Sequence, residues 1–124
     1  MIVGIGIDII EVERIAQAIE RYGEQFLRRI YTDHEREYCE RAHATRMVHY
    51  AARFAAKEAF SKAIGTGITS GFRFRECGVI NAASGKPQIA LSGDLAGRWF
   101  SHRIHLSLSH TRQYAVACVV IEQA

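Results

Sequence analysis

The stretch Ala52-Arg53-Phe54-Ala55-Ala56-Lys57-Glu58-Ala59-Phe60-Ser61-Lys62-Ala63-Ile64-Gly65-Thr66-Gly67-Ile68 decides the fold. From Arg46 to Ile64 there is neither glycine nor proline and alanine recurs, which predicts the longest helix; Gly65 and Gly67 end it. Small residues at 55, 56, 59 and 63 let neighbouring elements cover this helix closely. Arg53 and Lys57 share one helical face, and Glu58 and Lys62 share another. On a solvated face Glu58 and Lys62 are an ordinary i,i+4 pair worth ~0.2–0.5 kcal/mol. On a covered face, one carboxylate among several cations suits a metal plus a polyphosphate, with Glu58 on Mg²⁺ and the cations on phosphate oxygens. The Gly65-Thr66-Gly67 end leaves backbone open to a flat ligand.

Before this helix, Ile2 to Ile10 alternates Ile and Val with Gly and Asp, the pattern of a strand. Glu11 to Tyr22 places Ile15, Ile19 and Tyr22 on one stripe of an amphipathic helix. Gly23 interrupts it, and a short helical turn follows over Glu24 to Ile30. Thr32 with Glu35 forms a capping box that starts a helix running to about Ala42. Beyond residue 68 the pattern turns to strands. Phe72 to Ala82 and Pro87 to Leu91 flank the turn Ala83-Ser84-Gly85-Lys86. Ser92 to Ser101 predicts a helix with Ser92 at its N-cap. Ile104 to Ser109 and Tyr114 to Glu122 predict a closing hairpin. The expected class is α+β, an antiparallel sheet with helices packed on one side.

The 124 residues make one domain, 1–124, with no internal linker or repeat. Apolar residues are 48% and charged residues 23%, the balance of a globular protein. A formal net charge of +3 falls short of a dedicated nucleic-acid binder. Three lysines and thirteen arginines carry the positive charge, and arginine suits bidentate capture of phosphate and carboxylate. Cys39, Cys77 and Cys118 are widely spaced, so free thiols in a reducing cytosol are expected. No apolar run approaches a membrane span. The expected location is cytoplasmic, with no nucleic acid and no membrane among the partners.

Three further places carry chemistry. Asp8, in Gly4-Ile5-Gly6-Ile7-Asp8, is a carboxylate within an apolar strand, and such a group needs a partner or a metal. The two glycines would let a ligand approach the backbone. From this fragment alone, Asp8 reads first as a cap for the helix near Glu11 and second as a ligand. His110 stands where a strand meets its turn, with Thr111 and Arg112 beside it to complete a phosphate contact. His105 reads as a surface histidine. Arg14 and Arg21 lie seven residues apart on nearly one helical bearing, followed by Phe26 and Arg28. That face reads either as a solvated mixed-charge surface or as a dock for an acidic partner.

Taken together, GIGIDIIEVERI (4–15), ARFAAKEAFSKAIGTGI (52–68), SGKPQIAL (84–91) and LSLSHTRQYAVACVVIE (106–122) give a pattern that resembles the holo-[acyl-carrier-protein] synthases, the small trimeric class of 4′-phosphopantetheinyl transferases. The resemblance spans nearly the whole chain in family order. It implies transfer of 4′-phosphopantetheine from coenzyme A to a serine of apo-acyl carrier protein, releasing adenosine 3′,5′-bisphosphate, in support of fatty acid biosynthesis. It implies Asp8 and Glu58 as Mg²⁺ ligands and, with Lys62, as the catalytic set. Coenzyme A contacts are implied for Arg53, Ser61, Lys62, Gly65, Gly85, Lys86, Pro87, His110 and Thr111, with the Ser84–Pro87 turn reaching over the adenine from a neighbouring subunit. Basic residues expected just before the long helix are reduced here to Arg46. The proton of the accepting serine goes to Glu58 or to a metal-bound water. Arg14, Arg21, Phe26 and Arg28 become a docking face for the acidic carrier protein. A non-catalytic binder of acidic proteins or RNA, and a Mg²⁺-dependent nucleotide pyrophosphate hydrolase, stand as the alternatives.

Overall fold

Alternating side chains in the first ten residues form strand β1 (Ile2–Glu11), and the helices α1 (Val12–Tyr22), α2 (Glu24–Ile30) and α3 (Asp33–Arg41) follow. The computed structural model describes residues 1–69 and 71–124. A 3₁₀ turn over His43–Thr45 leads into the long helix α4 (Arg46–Ala63). A hairpin of β2 (Cys77–Asn81) and β3 (Pro87–Leu91), the helix α5 (Gly93–Trp99), and the strands β4 (His102–His110) and β5 (Tyr114–Gln123) complete the chain. The capping box is present in full: Glu35 N–H donates to Thr32 Oγ1 at 3.2 Å, and Thr32 N–H donates to Glu35 Oε1 at 2.8 Å.

The strands form two antiparallel sheets among the described residues, where the sequence suggested one: β1-β5-β4, and β2-β3 alone. In the first, Asp8 pairs with Ala117 and Ile10 with Ala115. Its inner face buries Ile10, Leu106, Ala115, Ala117, Val119 and Ile121 against α4, whose Ala55, Ala56, Ala59 and Phe60 have no exposed surface. The helices therefore pack on one side, as the sequence pattern predicts. The outer face is left bare: Ile5, Ile7 and Ile9 are 61–65% exposed, beside Val116, Cys118 and Val120 of β5.

Four sequence expectations need correction. Gly4 and Gly6 do not open the backbone to a ligand. They let α4 lie on β1, because a Cβ at either would overlap the carbonyl oxygen of Ala63 or Ala59. The buried stripe of α1 is Val12, Ile15 and Ile19, while Tyr22 at the helix end is exposed. The strand expected from Phe72 begins only at Cys77, because Phe74–Glu76 form a 3₁₀ turn. The helix after Ser92 ends at Trp99, two residues short of Ser101, with Phe100 as its C-cap.

Candidate active site

The close seat of α4 on β1 brings Asp8 beside the last turns of the helix. Lys62 Nζ donates to Asp8 Oδ1 at 3.0 Å and to the Ile7 carbonyl at 3.1 Å. Asp8 does not cap α1: the N-cap is Glu11, and no side chain caps it. Burial, and next the nearby Asp8 charge, push the Glu58 carboxyl above its ordinary range, against the pull of Lys62 and Arg14. Two carboxylates thus lie close enough to repel each other, with Lys62 hydrogen-bonded to only one of them.

This arrangement fits the implied metal. Hard oxygen donors suit Mg²⁺, and a divalent cation would offset both the burial and the Asp8 charge that hold the Glu58 carboxyl up. Among the described residues no three His, Cys, Asp or Glu side chains converge as a metal cage. Two carboxylates suffice for Mg²⁺, which keeps waters and takes substrate phosphates as further ligands.

Lys57, one turn earlier, is a correction to the expectation that it grips phosphate. It is fully buried, and its ammonium donates to Glu35 Oε1 (2.8 Å), Cys77 O (2.8 Å) and Phe74 O (3.1 Å). Glu35 Oε2 accepts from Val79 N–H at 2.9 Å. All three ammonium protons are used, so nothing remains for a ligand. These two carbonyls bracket the 3₁₀ turn at Phe74–Glu76, one from its first residue and one from the first residue of β2, so the lysine ties the turn to α4.

Arg53 is only 2% exposed, and its Nη2 donates to Asn81 Oδ1 at 3.0 Å. Its Nη1 donates weakly to the His49 carbonyl at 3.4 Å, its Nε has no partner, and its Cζ lies 4.1 Å over the Tyr38 ring. No carboxylate pairs with it among the described residues, so a buried positive charge stands uncompensated. His49 continues the cluster, its ring 6.2 Å from that of His110. Burial, then Arg53 and His110, lower the His49 pKa. Asn81 Nδ2 donates to the Gly85 carbonyl at 3.0 Å, which joins Arg53 to the Ser84–Pro87 turn. Asn81 and His49 escaped the sequence reading; their positions at a strand end and inside a helix give no local signal.

The remaining expected contacts are spread around these two clusters. Ser61 is fully buried, and its hydroxyl donates to the Glu58 carbonyl at 2.6 Å. Gly65 has a left-handed φ of 86° with open space around it. Gly85 and Lys86 are exposed, and Pro87 is half-buried. Thr111 Oγ1 accepts from the backbone N–H groups of Gln113 and Tyr114, which fixes the turn after His110. His105 is a surface residue, 2.7 Å from Glu122. At about 100° per residue, Glu58 and Lys62 leave α4 on one side and Arg53 leaves on the opposite side.

Arg14 and Arg21 are exposed on α1 and line a hollow of about 680 Å³ with Gln17, Ala18, Glu20 and Tyr22. Arg28 is exposed one helix further, while Phe26 turns inward, its ring edge-on to Tyr31 at 6.1 Å. Arg14 is also close enough to Glu58 to pull its pKa down, so the exposed face of α1 begins near the two carboxylates.

Residues 4–119 match the model of the 4′-phosphopantetheinyl transferase superfamily. A holo-[acyl-carrier-protein] synthase of Koribacter versatilis is 49% identical over 125 residues, covering 98% of this chain and 99% of the relative. The holo-(acyl-carrier-protein) synthase of Bacillus anthracis, solved in complex with CoA (3′,5′-ADP), superposes with a TM-score of 0.84 at 42% identity, over 100% of this chain and 99% of that one. The holo-[acyl-carrier-protein] synthase of Neisseria meningitidis gives a TM-score of 0.88 at 37% identity, over 99% of this chain and all of the other.

Proposed function

Since this chain belongs to the 4′-phosphopantetheinyl transferase superfamily and is a phosphopantetheinyl transferase, we propose that it moves 4′-phosphopantetheine from coenzyme A to a serine of apo-acyl carrier protein. The observation that carries this reading is the Asp8–Glu58 carboxylate pair with Lys62 at its edge. In the reaction the serine oxygen bonds to the β-phosphorus of coenzyme A. The bond from that phosphorus to the bridging oxygen breaks, and adenosine 3′,5′-bisphosphate leaves. Such a step needs charge neutralisation and alignment more than covalent help. Asp8 and Glu58 would hold Mg²⁺, which when bound supplies positive charge to the pyrophosphate oxygens. Lys62 holds Asp8 in place and adds a cation at the same edge. Glu58, the carboxylate that Lys62 leaves without a hydrogen bond, takes the serine proton. Arg53 with His110 meets the anionic adenosine end. The exposed arginines of α1 and α2 dock the acidic carrier protein. We assign the reaction to the cytoplasm and to fatty acid biosynthesis.

The working form is a homotrimer. Two features support this: the bare isoleucine face of the β1-β5-β4 sheet, and the opposite bearings of Arg53 and Lys62 on α4, which suit a ligand held between two copies. Sedimentation equilibrium at assay concentration should give three times the chain mass, and an active monomer would overturn the assembly.

The decisive experiment incubates apo-acyl carrier protein with this protein, coenzyme A and Mg²⁺, followed by mass spectrometry. The carrier protein should gain one phosphopantetheine. Loss of coenzyme A without any carrier protein would turn the reading toward a hydrolase, and no reaction with intact binding of acidic protein would turn it toward a docking module.

A further inference from the structure

One side chain couples the buried guanidinium to the exposed hairpin turn. Asn81 ends β2, opposite Pro87, and is half-buried. Its Oδ1 accepts from Arg53 Nη2 and its Nδ2 donates to the Gly85 carbonyl, both at 3.0 Å. The turn has its own closing bonds, Ala82 N–H to Lys86 O and Gly85 N–H to Ala82 O, each 2.8 Å. Asn81 therefore does not make the turn; it registers the turn against α4.

The chemistry of the amide matters as much as its reach. Arg53 has no carboxylate partner among the described residues, so its charge is held in place by a neutral acceptor, a weak carbonyl contact and the Tyr38 ring. An aspartate at position 81 would reach the same guanidinium and satisfy it. It would also set a negative charge against the Gly85 carbonyl. An asparagine fixes the geometry of Arg53 and leaves its charge free for an incoming anion.

We propose that Asn81 is a positioning residue for coenzyme binding: it holds the Arg53 guanidinium and the Ser84–Pro87 turn in one frame while keeping Arg53 uncompensated for a phosphate of the coenzyme. This rests on the coenzyme A reading above. A wild-type protein that fails to bind coenzyme A at all defeats that reading, and the variants below then have no bearing on it.

The test measures transfer kinetics of the intact protein with coenzyme A and with 3′-dephospho-coenzyme A as donors, together with thermal stability. Asn81→Asp should raise KM for coenzyme A by about tenfold, because it gives Arg53 a charged partner that competes with the phosphate. Its KM for the dephospho donor should stay within about twofold of wild type, since the lost charge then has nothing to meet. Both kcat and the KM for carrier protein should stay within about threefold, because the carboxylate pair and the α1 face are untouched. A purely structural asparagine predicts the reverse pattern, a lowered Tm with both donors affected equally. Equal KM changes for the two donors, or none, overturn the proposal. Should the aspartate variant not fold, Asn81→Ala decides instead: it removes the tether without adding charge, and KM for coenzyme A should rise while KM for carrier protein does not. An unchanged KM for coenzyme A in that variant is equally fatal.

Discussion

Helix α4 makes two lysine–carboxylate pairs of nearly the same length, 2.8 Å for Lys57–Glu35 and 3.0 Å for Lys62–Asp8, and they do opposite jobs. In the first, both side chains are 0% exposed and every donor and acceptor is engaged. In the second, Lys62 is half exposed, and a further carboxylate, Glu58, stands close by with its pKa raised. Saturation makes a pair structural; an unmatched charge beside a pair leaves something for a ligand to do. Arg53 is the same case with the sign reversed, a buried cation with no carboxylate partner among the described residues.

The contrast can be broken from either side. Lys57→Met should have the largest effect, a loss of about 3–5 kcal/mol in denaturant unfolding, because Glu35 is left charged and buried. Next, Asp8→Ala or Glu58→Ala should cut transfer by about 10²–10³-fold while Tm stays near wild type, since each removes charge from the reacting site and little packing. Full activity in either variant sinks the assignment. A smaller effect is expected for Arg14→Glu with Arg21→Glu. Its KM for carrier protein should rise by about tenfold with KM for coenzyme A unchanged, and the wild-type KM should climb with salt. A normal carrier-protein KM returns that helix to an ordinary solvated surface.

The smallest effect concerns pH. The folded pKa of Glu58 lies above its unfolded value, so the folded state holds this proton more tightly. Its contribution favours folding below the unfolded pKa and is lost as pH rises through the folded one. In metal-free buffer, Glu58→Gln should therefore gain Tm on wild type as pH climbs from the ordinary glutamate range toward neutrality. A Tm difference independent of pH would show that the fold does not hold the Glu58 carboxyl above its ordinary range.

Much of this was legible in the residues. The element order, the Thr32–Glu35 capping box and the glycine end of α4 all follow from local chemistry. What escaped was partnership across the fold. Helical spacing put Lys57 and Lys62 on different faces, but spacing does not say which face a distant carboxylate will close. Glu35 was readable as a cap and not as the partner of a lysine 22 positions on, because its second role exists only once α3 lies on α4. The late start of β2 was hidden for the same reason, since the Phe74 and Cys77 carbonyls go to Lys57. At Gly4 and Gly6 the missing side chain is plain in the sequence, but that it admits a helix and not a ligand is visible only once α4 lies on β1.

Those two glycines decide how portable this chemistry is. The spacing between Asp8 and Glu58 is set by backbone resting on backbone, with no side chain to act as a shim. Grafting the two carboxylates and Lys62 onto another strand and helix would carry over the reagents and leave the gauge behind. Any transplant has to bring Gly4, Gly6, Ala59 and Ala63 with it, four residues that carry no functional group.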